Sequence, residues 1–209
     1  MHQRPDSDQS FAAAIGLSRN WPKPQKNLDN IALTGDLKWA DAYVRGAETL
    51  IASDPDRSDL PFFLGPLIHV VGIANELVLK CILKGGGLDA DKVRGYGHNT
   101  YKAYLKARDW FDEARFINLI FSNTSHLTIP PEIAERLSVR SEPDPDHYWR
   151  FYPNHLRILD TTYNKPYRTR YVSHGPLVAP EPYILLVGAR ILLAAMSERS
   201  EESEQLVPK

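Results

Sequence analysis

Apolar residues fall at helical spacing along most of this chain. Leu37, Ala40, Tyr43, Val44, Ala47, Leu50 and Ile51 recur at threes and fours, which predicts an amphipathic helix over roughly 36–53. The next stretch, Leu60 to Lys84, is apolar on nearly every side and predicts a helix buried inside the fold. Between them SDPDRSD, Ser53 to Asp59, is turn-forming and rich in cap residues, so the two helices are expected as an antiparallel pair. Gly85-Gly86-Gly87 ends the second helix, because glycine supplies the left-handed C-terminal conformation. With no Lys-Ser/Thr after it and no strand before it, this run is not a phosphate loop.

Further along, Asn99 or Thr100 is the expected cap of a helix over YKAYLKARDWF, with Tyr101, Tyr104, Leu105, Trp110 and Phe111 toward the core. Asp112 to Phe121 predicts another helix, and Pro130-Pro131-Glu132 opens a shorter one through about Val139. SEPDPD, Ser141 to Asp146, breaks regularity. His155 to Tyr163 and Tyr167 to Val172 alternate around Asn164-Lys165-Pro166 and predict a β-hairpin. Pro180-Glu181-Pro182 then starts a last apolar helix, Tyr183 to about Ser197, expected to pack on the second. The fold class is therefore all-α, an up-and-down helical bundle with a small β-hairpin insertion before the last helix. Residues 1–33, with the stiff Trp21-Pro22-Lys23-Pro24, read as an N-terminal arm, 34–198 as the helical domain and 199–209 as a flexible charged tail.

Composition narrows the classes. At 209 residues the chain can bury a core without metal or disulfide support, and a formal charge of −1 gives no global pull toward nucleic acid or anionic lipid. Any nucleic-acid contact has to come from a local basic patch. The single cysteine, Cys81, excludes an intrachain disulfide and fits a reducing compartment. No signal-peptide core is visible and Glu76 interrupts the apolar run of the second helix, so a cytoplasmic protein without membrane contact is expected. No cofactor fingerprint, nucleophile elbow or metal-ligand spacing is present, and none of those groups is expected.

The chemistry that stands out is polar residues in an apolar helix. Offsets of seven and eleven residues at about 100° each put Glu76 and Lys80 within about 20° of His69. Polar groups on a buried helix need partners, and His98 at the next helix start is placed to meet Glu76 across the bundle, where a carboxylate would fix its tautomer. A structural ion pair is the simpler reading of Glu76 and Lys80, a binding site the sharper one. The second candidate is His147 to Tyr171, which interleaves Arg150, Arg157, Lys165, Arg168 and Arg170 with Trp149, Phe151 and several tyrosines including Tyr171. Cations beside stacking surfaces are what hold single-stranded nucleic acid. The plainer alternative is a hairpin whose aromatics seal the bundle.

The succession Glu76-Leu77-Val78-Leu79-Lys80, a glycine-ended turn, Gly97-His98 opening the next helix and Arg170-Tyr171 before a final apolar helix resembles the HEPN superfamily of helical domains, over roughly residues 36–198. The resemblance implies a helical bundle, often dimeric, belonging to ribonucleases or to toxin–antitoxin and phage-defence systems, with Arg170-Tyr171 bracing the last helix. Catalytic members carry an Arg followed, after four to six residues, by a His, a pair that can stabilise a phosphorane-like anion and transfer a proton without metal. Arg140/His147, Arg150/His155 and Arg168/His174 have that spacing, and the aromatic context selects Arg150 and His155 as the catalytic candidates. Phe151 follows Arg150 where the family commonly has Asn, Asp or His.

The leading expectation is an RNA-associated or defence-related HEPN-like module, a homodimer, with Glu76, Lys80, His98, Trp149, Arg168, Arg170 and Tyr171 as binding residues. Two alternatives stand beside it: a metal-independent ribonuclease using Arg150 and His155, and a protein-interaction or toxin-neutralising subunit with a protein partner.

Overall fold

The computed structural model describes residues 10–17, 27–53, 60–139, 143–163 and 178–205. Among them the regular structure is helical, with no strand: α1 (Phe11–Ala14), α2 (Asn27–Ser53), α3 (Leu60–Gly85), α4 (Ala90–Arg94), α5 (Thr100–Ala107), α6 (Glu113–Asn123), α7 (Pro131–Val139), α8 (Pro145–Arg150), α9 (Tyr152–Tyr163) and α10 (Pro182–Gln205).

Helix α3 is the axis of the fold, packed by α2, α5, α9 and α10. Its apolar sequence has no side to spare for solvent, and Leu67, Ile68, Val71, Val78, Leu79, Ile82 and Leu83 are all buried. Pro66 lies within α3 on an exposed position, where it removes one backbone donor from the helix. Phe63–Gly85 is long and apolar enough to cross a membrane, yet most of its most apolar stretch is buried inside the fold. Helix α2 runs antiparallel to α3: Asp36 near the start of α2 pairs with Lys84 at the end of α3, and Gly46 lies against Val70. Helix α10 covers both, tied to α3 by Asn75 and to α2 by the Arg190–Glu48 pair at 3.0 Å.

The glycine run terminates α3 as its composition requires. Gly87 has φ +90°, its N–H donates to Lys84 O at 2.9 Å, and Leu88 N–H reaches back to Leu83 O at 3.0 Å, a Schellman ending. Gly86 has a different reason to be glycine, because a Cβ there would overlap the Trp110 indole. Behind α5, the rings of Tyr104, Phe111, Phe116 and Tyr152 make a cluster of tilted and edge contacts 5.2–6.4 Å apart. In it the Tyr152 hydroxyl donates to Asn75 Oδ1 at 2.6 Å, and Asn75 Nδ2 donates to Val71 O and Leu185 O.

Several expectations need correction. Helix α2 begins at Asn27, inside the region read as an arm, and Phe11–Ala14 is helical and docked on α10. Helix α10 reaches Gln205, so the first part of the tail is helical as well. The first arm of the expected hairpin is helix α9: Tyr152, His155, Leu156, Leu159 and Thr162 are buried at helical spacing. Its second arm, Tyr167 to Val172, lies outside the described residues, as does Trp21. Leu105, expected in the core, is 37% exposed.

Candidate functional site

Glu76 projects from the middle of α3 toward the start of α5, with 12% of its side chain exposed. One oxygen accepts from Lys80 Nζ at 2.6 Å, one turn further along α3. The other accepts from His98 Nδ1 at 2.9 Å. An ionised carboxylate only accepts, so Nδ1 of His98 carries the proton and the tautomer is set by Glu76. Burial opposes charge on Glu76, but the hydrogen bonds from Lys80 and His98 outweigh it and hold the carboxyl below its usual range. Gly97, at φ +57°, swings the chain so that His98 enters α5 beside α3. His69 lies two turns earlier on α3 and is half-buried.

A second carboxylate, unforeseen in the sequence, completes this cluster. Asp160 of α9 accepts from Thr100 N–H at 2.8 Å, Thr100 Oγ1 at 2.7 Å and Tyr101 N–H at 3.0 Å, while Asn99 Oδ1 takes Lys102 N–H at 2.8 Å. Three open amide donors of the α5 N-terminus are thereby satisfied, two of them by a helix sixty positions away in sequence. Burial raises the Asp160 carboxyl, the Thr100 and Tyr101 donors pull it down, and neighbouring Glu76 adds to the rise. The two acids thus have different environments, Glu76 held below its usual range by the donors of Lys80 and His98, and Asp160 shifted upward by burial.

The pair read as catalytic occupies a different part of the fold, and both members are engaged in holding it together. Arg150 Nε and Nη2 bind Asp146 at 3.1 and 3.0 Å, and Nη2 also donates to Leu127 O at 3.0 Å, with 14% of the side chain exposed. His155 is 3% exposed. Its Nδ1 accepts from Glu181 N–H at 3.0 Å, so Nε2 bears the proton and donates to Trp149 O. Burial pushes this imidazole down to about 4. A group placed this way ties α9 to the start of α10 and is neutral at physiological pH. Trp149 is buried, edge-on to His155. Arg168, Arg170 and Tyr171 lie outside the described residues, as do Arg140 and His174.

Other chemistry is sparse. Cys81 is buried, and that burial, with Asp36 adding and Lys84 opposing, pushes its thiol up to about 12. Among the described residues no group of three or more His, Cys, Asp or Glu could hold a metal ion.

Of the residues expected in the core here, Tyr104 and Phe111 are buried, whereas Tyr101 and Trp110 are half-buried and Leu105 is exposed. Along α5 and its flanks, Lys102 Nζ stands 5.8 Å from the Tyr96 ring centroid and Lys106 Nζ 5.2 Å from that of Trp110. Arg157 of α9 stands 5.8 Å from the Tyr101 ring. All three rings are half-buried. The detectable signal was the placing of Lys102 and Lys106 four apart beside aromatics, on the side of α5 opposite Ala103, Tyr104 and Ala107. Compared with family models, curated proteins and solved structures, the chain matches none of them.

Proposed function

We propose that the chain is a HEPN-like helical module that associates with RNA, and that it works by binding rather than by cleavage through Arg150 and His155. The observation that carries the reading is the Glu76 clasp. Glu76, Lys80 and His98, three of the residues on which the resemblance rests, are drawn from two helices into one hydrogen-bonded group. The packing of Arg150 and His155 favours binding over catalysis, since a proton-transfer group needs access to substrate and an imidazole that titrates near neutrality.

The test is titration of the purified full chain with a short single-stranded RNA in EDTA over a range of salt. Binding at low salt that weakens steeply as salt rises is expected. Absence of binding at low salt would overturn the reading and favour a protein-interaction role. Cleavage lost in both Arg150→Ala and His155→Ala would replace it with the ribonuclease alternative.

A further inference from the structure

The clasp fixes the start of α5 but does not say where a nucleic acid would lie. The surface that fits one is the outer side of α5 with the adjoining turn of α9. Three rings, Tyr96, Tyr101 and Trp110, are presented there half-exposed, and each has a cation over it, Lys102, Arg157 and Lys106 in turn. Such pairs recur in proteins as isolated contacts. Here three sit together on and beside one short helix, in a chain whose net charge is only −1, so the basic-aromatic character is local.

The cations differ in a way that bears on their use. Lys106 is already paired with Asp109 at 2.7 Å. Lys102 and Arg157 make no ion pair with any described residue, and each lies against a ring. Neither is held by a carboxylate among the described residues, so each can swing from its ring to a phosphate when a base takes the ring face. Leu105, exposed between Lys102 and Lys106, adds apolar surface that a sugar or base edge can cover. The helix beneath is rigid at its origin, because Asp160 and Asn99 cap its first turn and Glu76 holds His98.

We infer that this face is the docking surface for a short single strand of RNA, with about two bases stacking on Tyr96 and Tyr101 while Lys102 and Arg157 take the phosphates. The inference rests on the RNA-associated reading and names the place and the form of the ligand. A duplex is disfavoured, because paired bases hide the faces that the rings would stack on.

The experiment is fluorescence anisotropy of a labelled oligouridine with the full chain, alone and annealed to its complement. Lys102→Ala/Arg157→Ala changes only exposed side chains and should lower the slope of log affinity against log salt by about 1.4. Tyr101→Leu keeps an apolar side chain at that site and should weaken binding about fivefold or more with the slope unchanged, its folding checked by thermal melting. Single strand should bind more tightly than duplex, and polyglutamate should compete poorly. Wild-type affinity in both variants would overturn this assignment while leaving RNA association in place. Equal binding of duplex, or displacement by polyglutamate at matched charge, would overturn it by reducing the face to a charge effect. Failure of the wild type to bind any RNA would remove the functional reading together with this surface.

Discussion

The ring of Tyr152 occupies the space where a side chain on Gly188 would begin. A Cβ built on Gly188 would overlap Cε2 and lie 2.6 Å from Cδ2, so α9 and α10 approach as closely as they do only because position 188 has no side chain. Gly188→Ala should therefore destabilise the fold by about 1–3 kcal/mol through overpacking. Tyr152→Phe should cost a similar amount, about 1–3 kcal/mol, by leaving Asn75 Oδ1 buried without its donor. Urea denaturation monitored by circular dichroism measures both.

His155 should behave as a structural group in solution. Its folded-state value of about 4 lies below the ordinary 6.5, so between those limits the unfolded chain binds the extra proton. Stability is then fully present above about pH 6.5 and falls as pH drops toward 4, by an amount on the order of 3 kcal/mol from this residue. In an NMR titration the His155 ring should show the Nε2-protonated tautomer and no change through neutrality. A transition near neutrality would contradict the geometry of its two hydrogen bonds.

Glu76 should make the fold acid-sensitive over a lower range. Its carboxyl is held below 4.5, so its contribution is present above that value and is lost as pH falls through the depressed folded value. Asp160 is shifted the other way, above 3.8, and favours the folded state at low pH. Glu76→Gln should thus flatten the acid limb of a stability-against-pH curve, whereas Asp160→Asn should steepen it. At neutral pH, Glu76→Ala should cost about 1–3 kcal/mol, because His98 and Lys80 both lose their acceptor but retain some access to water.

Glu198 should anchor α1. Its carboxylate accepts from Ser10 Oγ at 2.6 Å, Phe11 N–H at 3.0 Å and Ala12 N–H at 2.8 Å. Glu198→Ala should raise amide hydrogen exchange at Phe11 and Ala12 by about tenfold or more, the equivalent of about 1.5 kcal/mol from charge-assisted bonds, while the α3 core amides stay protected.

Much of the helical frame was readable from spacing because burial of one face imposes its period on the sequence. Helix α3 was legible end to end, as was a cap at Asn99 or Thr100, and Asn99 is the residue that fills it. Helix α9 was misread because the run from His155 to Tyr163 ends in Thr161-Thr162-Tyr163, residues that favour strands locally, and begins after Tyr152, whose ring starts the helical series of buried positions. Within the site, Glu76 and Lys80 declare themselves by their spacing on one helix, and His98 by standing at the next helix start. Asp160 was invisible because nothing local marks an acid that caps another helix. The spacing of Arg150 and His155 carried no information about depth, and depth is what decides their chemistry.

The contact between Ser10 and Glu198 also bears on how the chain is made. The two positions are 188 residues apart, so the acceptor that binds the start of α1 is added to the growing chain long after α1 itself. At roughly 5–20 residues per second, Phe11 and Ala12 wait on the order of ten seconds or more for it. Helix α1 is four residues long and cannot persist alone over that interval. Its docking therefore follows the addition of Glu198, and a nascent chain stalled before that residue would lack the carboxylate that binds Ser10, Phe11 and Ala12.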